Sequence, residues 1–70
     1  MIPPVITRQD AELAEIVGRI ERAFVYMNSL TFGSLPHRER SLFFKQIEFM
    51  EAYRDVLGER LALVKIRNGL

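Results

Sequence analysis

From Pro36 to Asn68-Gly69 the chain runs without an internal proline, and apolar residues recur through it in two registers. One stripe is Phe43, Ile47, Met50, Tyr53, Leu57, Leu61 and Val64, at the steps of three and four that mark one face of a helix. The other is Leu42, Phe49, Val56 and Leu63, every seventh residue. The two lie about 100° apart around a helix, one residue's turn. A helix in an isolated hairpin has one partner and needs one stripe. Two adjacent stripes make a face wider than one partner covers. The spacing therefore predicts a long helix over about 36–67 whose second stripe is covered by another copy of the chain. The ordinary alternative is one wide core face with some exposed apolar residues, which surfaces tolerate.

The preceding stretch predicts the partner within the chain. Leu13, Ile16, Val17, Ile20, Ala23, Phe24 and Met27 fall on one helical face, with Glu15, Arg19, Glu21 and Arg22 in the gaps. Pro3-Pro4 reads as a short extended N-terminus. Thr7 then reads as an N-cap, with Asp10 and Glu12 at the positive end of the dipole. The first helix is placed at about 7–29 and the connection at about 30–35, with Phe32 and Leu35 plugging the end of the core and Pro36 in the next first turn. Gly18, inside the first helix, allows a bend or the close approach of a neighbouring chain. At about 1.5 Å per residue the helices run roughly 33 and 46 Å, so about two turns of the second, with Leu61, Leu63 and Val64, would overhang. The expected fold class is all-α: residues 1–70 as one antiparallel two-helix hairpin domain assembling into a homo-oligomeric helical bundle. Its interface would use Leu42, Phe49, Val56, Leu61, Leu63 and Val64.

Composition sharpens the case for partners. Seventy residues bury a modest core, and with no cysteine there is no disulfide or cysteine-based zinc site to staple it. Hydrophobic residues are 49% of the chain, too many for a disordered segment. Ten Lys and Arg against nine Asp and Glu give a net charge of +1. That near-balance argues against long nucleic acids, whose binding needs many neutralised phosphates. The N-terminus lacks a basic region followed by an apolar core, and the uncharged run from Ala23 to Pro36 is broken by Asn28, Ser29 and Gly33. Neither a signal peptide nor a membrane span is expected, and the expected location is cytoplasmic, the host bacterial cytoplasm if the chain is phage-encoded.

Catalytic constellations are sparse. His37 is the single histidine and no nucleophile or orienting partner is identifiable for it. Glu12 with Glu15 and Glu48 with Glu51 are pairs at i, i+3, but a di-metal carboxylate site wants Glu-x-x-His motifs, so solvated carboxylates paired with Arg or Lys are the simpler reading. No glycine-rich phosphate loop or DNA-reading motif is present. The chain is read as non-enzymatic, with no metal and no cofactor.

Eight of the ten basic residues are Arg. A guanidinium is a planar fork suited to phosphate and able to stack on bases. Solubility and i, i+4 pairing explain any one of them. In a symmetric oligomer a few arginines are copied around each interface, where they suit a small anion held between chains.

The segment Phe32-x-x-Leu35-Pro36-x-x-Glu39-x-x-Leu42-x-x-x-Gln46-x-x-x-Met50-x-x-Tyr53-x-x-x-Leu57-x-x-Arg60-Leu61, preceded by Ala11-Glu12-Leu13, Ile20 and Phe24, resembles a family of small phage proteins first named from crAss-like phages. That family includes the anti-CBASS cyclic-nucleotide sponges. The resemblance covers about residues 5–64. Most matches are core positions; Glu39 and Gln46 are the polar ones. It implies a helical hairpin in a homo-oligomer, a hexamer, that binds cyclic di- or trinucleotides without cleaving them and so keeps a bacterial effector from being activated. In that family an N-terminal aromatic stacks on a base and a basic residue of the first helix holds phosphate. Here Ile2-Pro3-Pro4-Val5 has no aromatic. The basic position falls on Arg19 or Arg22. Tyr26 is either a base-stacking substitute or a packing residue. The candidate ligand residues are Arg19, Arg22, Tyr26 and Arg60. A structural or protein-interaction module, docking a partner through Leu42, Phe49, Val56 and Leu63, is the alternative.

Overall fold

A computed structural model describes residues 4–69 of the chain. Three helices follow in order: α1 (Pro4–Met27), α2 (Leu30–Gly33) and α3 (His37–Arg67). No strand occurs among the described residues. Two contacts fix the antiparallel arrangement. Near the chain ends Lys65 Nζ of α3 lies 3.7 Å from Asp10 Oδ1 of α1. At the opposite end the rings of Tyr26 and Phe43 pack with centroids 5.3 Å apart.

The first helix begins earlier than its sequence suggests. Pro4 lies in the first turn of α1, and Thr7 is an exposed residue inside the helix rather than its cap. A proline is compatible with a first turn, because its missing N–H has no intrahelical partner there and its φ is already helical. Packing holds that turn in place. Ile6 is 1% exposed, and Gln9, one turn on, is also buried. The extended conformation expected before Pro4 falls on residues outside those described.

The connection is built rather than loose. α1 ends at Met27, two residues short of the expected position. Asn28 Nδ2 donates to the Phe24 carbonyl at 3.0 Å. The Ser29 hydroxyl donates to the Tyr26 carbonyl at 2.6 Å and accepts from the Phe32 backbone N–H at 3.1 Å. One side chain thus closes α1 and caps α2, the single helical turn that occupies much of the expected loop. The turn carries Phe32 inward, where it is buried against Tyr26, Phe43 and Phe44 with centroids 5.3–5.6 Å apart. The expected plug is therefore an aromatic cluster, worth more than its buried area through edge-to-face geometry.

Pro36 stands just outside α3, with ψ at 150°, and its carbonyl accepts from the Arg40 N–H at 3.1 Å. The helix runs 31 residues to Arg67. It stops where expected. Asn68 Nδ2 donates to the Val64 carbonyl at 2.8 Å, and Gly69, at φ +74°, donates its N–H to Ile66 at 3.0 Å. That left-handed conformation is cheap for glycine.

Ile47, Leu57 and Leu61 of the main stripe are buried against α1, which contributes Ile6, Ile16, Ile20 and Ala23. Tyr53, expected in the same stripe, is 51% exposed. Because α1 starts at Pro4, it reaches Lys65, and the expected two-turn overhang does not form. Leu61 is covered by its own chain and Val64 is half-buried, so neither is an uncovered interface residue as the lengths suggested. Leu63 remains 67% exposed. The rest of the second stripe stays out too: Leu42, Phe49 and Val56 are exposed, Phe49 to 73%. The chain measures 50 × 16 × 13 Å with a radius of gyration of 15.9 Å. A compact chain of this length has about 11 Å. The described residues form a rod two helices thick, which leaves nothing among them to cover a second face of α3.

Candidate ligand-binding groove

On α1, Arg19, Arg22, Ala23 and Tyr26 stand at i, i+3, i+4 and i+7, one helical face. On α3, Phe43, Gln46 and Met50 do the same at i, i+3 and i+7. The antiparallel pairing brings the two sets to opposite walls of one open groove of about 320 Å³. Its apolar lining comes from Ala23, Phe43 and Met50; its polar groups are two guanidiniums, one amide and one phenol. The volume is at the low end of small-molecule sites, roughly 300–1,000 Å³.

The two arginines are held differently. Arg19 Nη2 donates to Glu15 Oε1 at 2.8 Å, with both side chains about 60% exposed. Such an exposed i, i+4 pair is weak, typically below about 1 kcal/mol, so Arg19 can exchange its carboxylate for another anion. Arg22 has no ion-pair partner among the described residues; its guanidinium is laid back along α1 over Gly18. Gln46 is exposed, and its amide makes no hydrogen bond among the described residues. Tyr26 is half-buried in the aromatic cluster, in T-shaped contact with Phe32 and Phe43. It packs the hairpin end and forms one end of the groove.

Arg60 lies elsewhere. It borders a separate hollow of about 270 Å³ with Tyr53, Val56 and Leu57. Fourteen residues separate it from Gln46, roughly 21 Å along the helix. Within one chain Arg19, Arg22 and Tyr26 come together and Arg60 does not join them. Gln46 and Met50 also border an apolar hollow of about 440 Å³ that includes Leu42, Phe49 and Tyr53, so the groove opens directly onto the uncovered stripe. Sequence reasoning noted Gln46 as a polar match among core positions but did not place it opposite the arginines. The helical spacing of Gln46 with Phe43 and Met50 carried that signal, and only the register of the two helices completes it.

The remaining candidates are ordinary. Ser41 Oγ lies 3.4 Å from Nε2 of the exposed His37, both in the first turn and a half of α3. Among the described residues no cluster of three or more His, Asp or Glu is arranged to hold a metal. Glu15, one of the paired carboxylates, is bound to Arg19 as surface pairing predicts. Arg54 pairs with its neighbour Asp55 at 3.0 Å. No described helix is long and apolar enough to cross a membrane.

Fold and groove together define a small helical hairpin with an arginine-bearing cleft beside an unpartnered apolar face. The sequence profile of the Sequestin family matches residues 3–63, and the chain belongs to that family. This bears out the family resemblance read from the sequence. Comparison with curated proteins and with solved structures gave no match.

Proposed function

We propose that the chain binds and sequesters a cyclic oligonucleotide signal without chemically changing it. The observation that carries this reading is the convergence of Arg19 and Arg22 with Gln46 along an apolar groove lining, in a chain of the Sequestin family. The family's name speaks of sequestration, in accord with the sponge role that the resemblance implies. The chemistry suits it. Guanidinium forks bind phosphate oxygens through charge-assisted hydrogen bonds. The half-buried Met50 and Phe43 offer apolar surface to a base face, and the Gln46 amide offers a donor and an acceptor to a base edge.

Assembly belongs to the same reading. The groove of one chain is too open to enclose a cyclic dinucleotide, and it runs onto Leu42 and Phe49. A second copy packed on the Leu42, Phe49, Val56 and Leu63 stripe covers that apolar face and closes the groove. A closed ring such as a hexamer repeats the site by symmetry.

Titration calorimetry with cyclic di-AMP, cyclic di-GMP, cyclic GMP–AMP and cyclic tri-AMP tests the proposal. Micromolar or tighter binding by at least one, weakened by Arg22→Ala, is expected; no binding by any removes the reading. The exposed stripe also favours a second reading, a protein-interaction module without a small ligand. A stable monomer that binds none of the four compounds supports that one instead.

A further inference from the structure

We infer that Gly18 is a positioning residue for the ligand: the missing side chain at this position makes the seat on which the Arg22 guanidinium lies. The inference rests on the reading of the groove as an anion site. A Cβ placed on Gly18 would stand 3.2 Å from Arg22 Nη1 and 4.0 Å from Arg22 Cζ, and no other side chain or neighbouring element lies within 4 Å of it. A distance of 3.2 Å is tighter than most Cβ contacts, so the tip of the exposed Arg22 side chain has to give by a few tenths of an ångström when the Cβ is present. Gly18 is therefore not a point where α3 approaches α1 closely.

Neither a turn nor packing within the chain calls for glycine here, just as neither does at Gly58 of α3, so the contact with Arg22 is what distinguishes Gly18. It lies in the middle of a 24-residue helix, where glycine is unfavourable relative to alanine. Its φ is not positive, so no turn or left-handed conformation requires it. What the position does is let a side chain one turn on, at i+4, fold back against the helix. Arg22 borders the groove in that folded-back pose. Arg22 is exposed and makes no ion pair among the described residues, so what the absent Cβ provides is room for this folded-back rotamer, and a rotamer favoured before binding raises affinity modestly. The two arginines thus divide the work. Arg19 is tethered by Glu15, an exchangeable anion, and Arg22 is seated by shape and leaves its donors free for phosphate.

The test is a double-mutant cycle on the full chain with Gly18→Ala, Arg22→Ala and the pair, read by thermal melting and by calorimetry with the best-bound of the four cyclic nucleotides. Gly18→Ala is expected to raise the melting temperature by roughly 4–8 °C, as an alanine in a helix interior does, while weakening binding about two- to threefold. In the Arg22→Ala background Gly18→Ala should still raise the melting temperature and no longer change binding, because the side chain it displaces is gone. Three results would overturn the inference: undiminished binding by Gly18→Ala, an equal loss in both backgrounds, or a lowered melting temperature showing that the Cβ meets a neighbouring chain. Failure of the parent chain to bind any of the four nucleotides would instead sink the groove reading, and the inference with it.

Discussion

The Arg19–Glu15 pair is the clearest single lever on the groove. Both side chains are well exposed, and their contact at 2.8 Å contributes little to folding. It also competes with a ligand phosphate for the same guanidinium. Glu15→Gln removes that competitor and leaves the helix otherwise intact. Calorimetry on this variant should show cyclic-nucleotide affinity raised by up to about fivefold, the scale of an exposed pair. Unchanged or reduced affinity would place Arg19 outside the contact. Residue-level chemistry was only partly legible beforehand. The i, i+4 spacing of Glu15 and Arg19 announced their pairing. The role of Gly18 did not show, because whether a helical glycine admits a neighbouring chain or its own helix's arginine depends on a rotamer that spacing does not encode.

At the scale of elements, α3 has an inner face buried against α1 and an outer line of exposed apolar residues. Its inner face is a thin core, so each buried residue counts heavily. Leu57 is 2% exposed, and Leu57→Ala should cost about 2–5 kcal/mol, measured by denaturant unfolding. A cost near zero would mean that α1 and α3 do not pack as described. Gly58 offers a contrast one residue on. A Cβ there meets nothing within 4 Å, so Gly58→Ala should stabilise the chain by about 1 kcal/mol in the same assay. Destabilisation would show that another chain packs against that face. The periodicity of Ile16, Ile20, Ala23, Ile47, Leu57 and Leu61 made the hairpin and its core legible from sequence. The ends of α1 were less so. Pro4 reads equally well as an extended residue or a first-turn residue, and only the burial of Ile6 and Gln9 decides between them. Ser29 reads as a loop residue until its hydroxyl is seen joining two helices.

The whole molecule is a narrow rod with exposed apolar side chains on all three helices, Leu30 and Val25 among them, and four of them, Leu42, Phe49, Val56 and Leu63, form one line of α3. The seven-residue spacing made that line legible from sequence; the overhang inferred from helix lengths was not real, because α1 extends further toward the N-terminus. An acidic residue in the middle of the stripe should keep copies apart while leaving the hairpin folded, since Phe49 is 73% exposed within one chain. Phe49→Glu is therefore expected to lower the mass seen by light scattering, to keep the helical circular dichroism, and to weaken cyclic-nucleotide binding if a second copy closes the groove. An unchanged mass would exclude this stripe as the interface.

Native mass spectrometry of the chain, alone and with the cyclic di- and trinucleotides, tests sequestration most directly because it weighs the assembly and its cargo together. The expected result is a closed homo-oligomer that takes up a fixed number of cyclic nucleotides per ring and releases them intact on denaturation. A monomer that retains none of them, or an assembly that returns them cleaved, would contradict it.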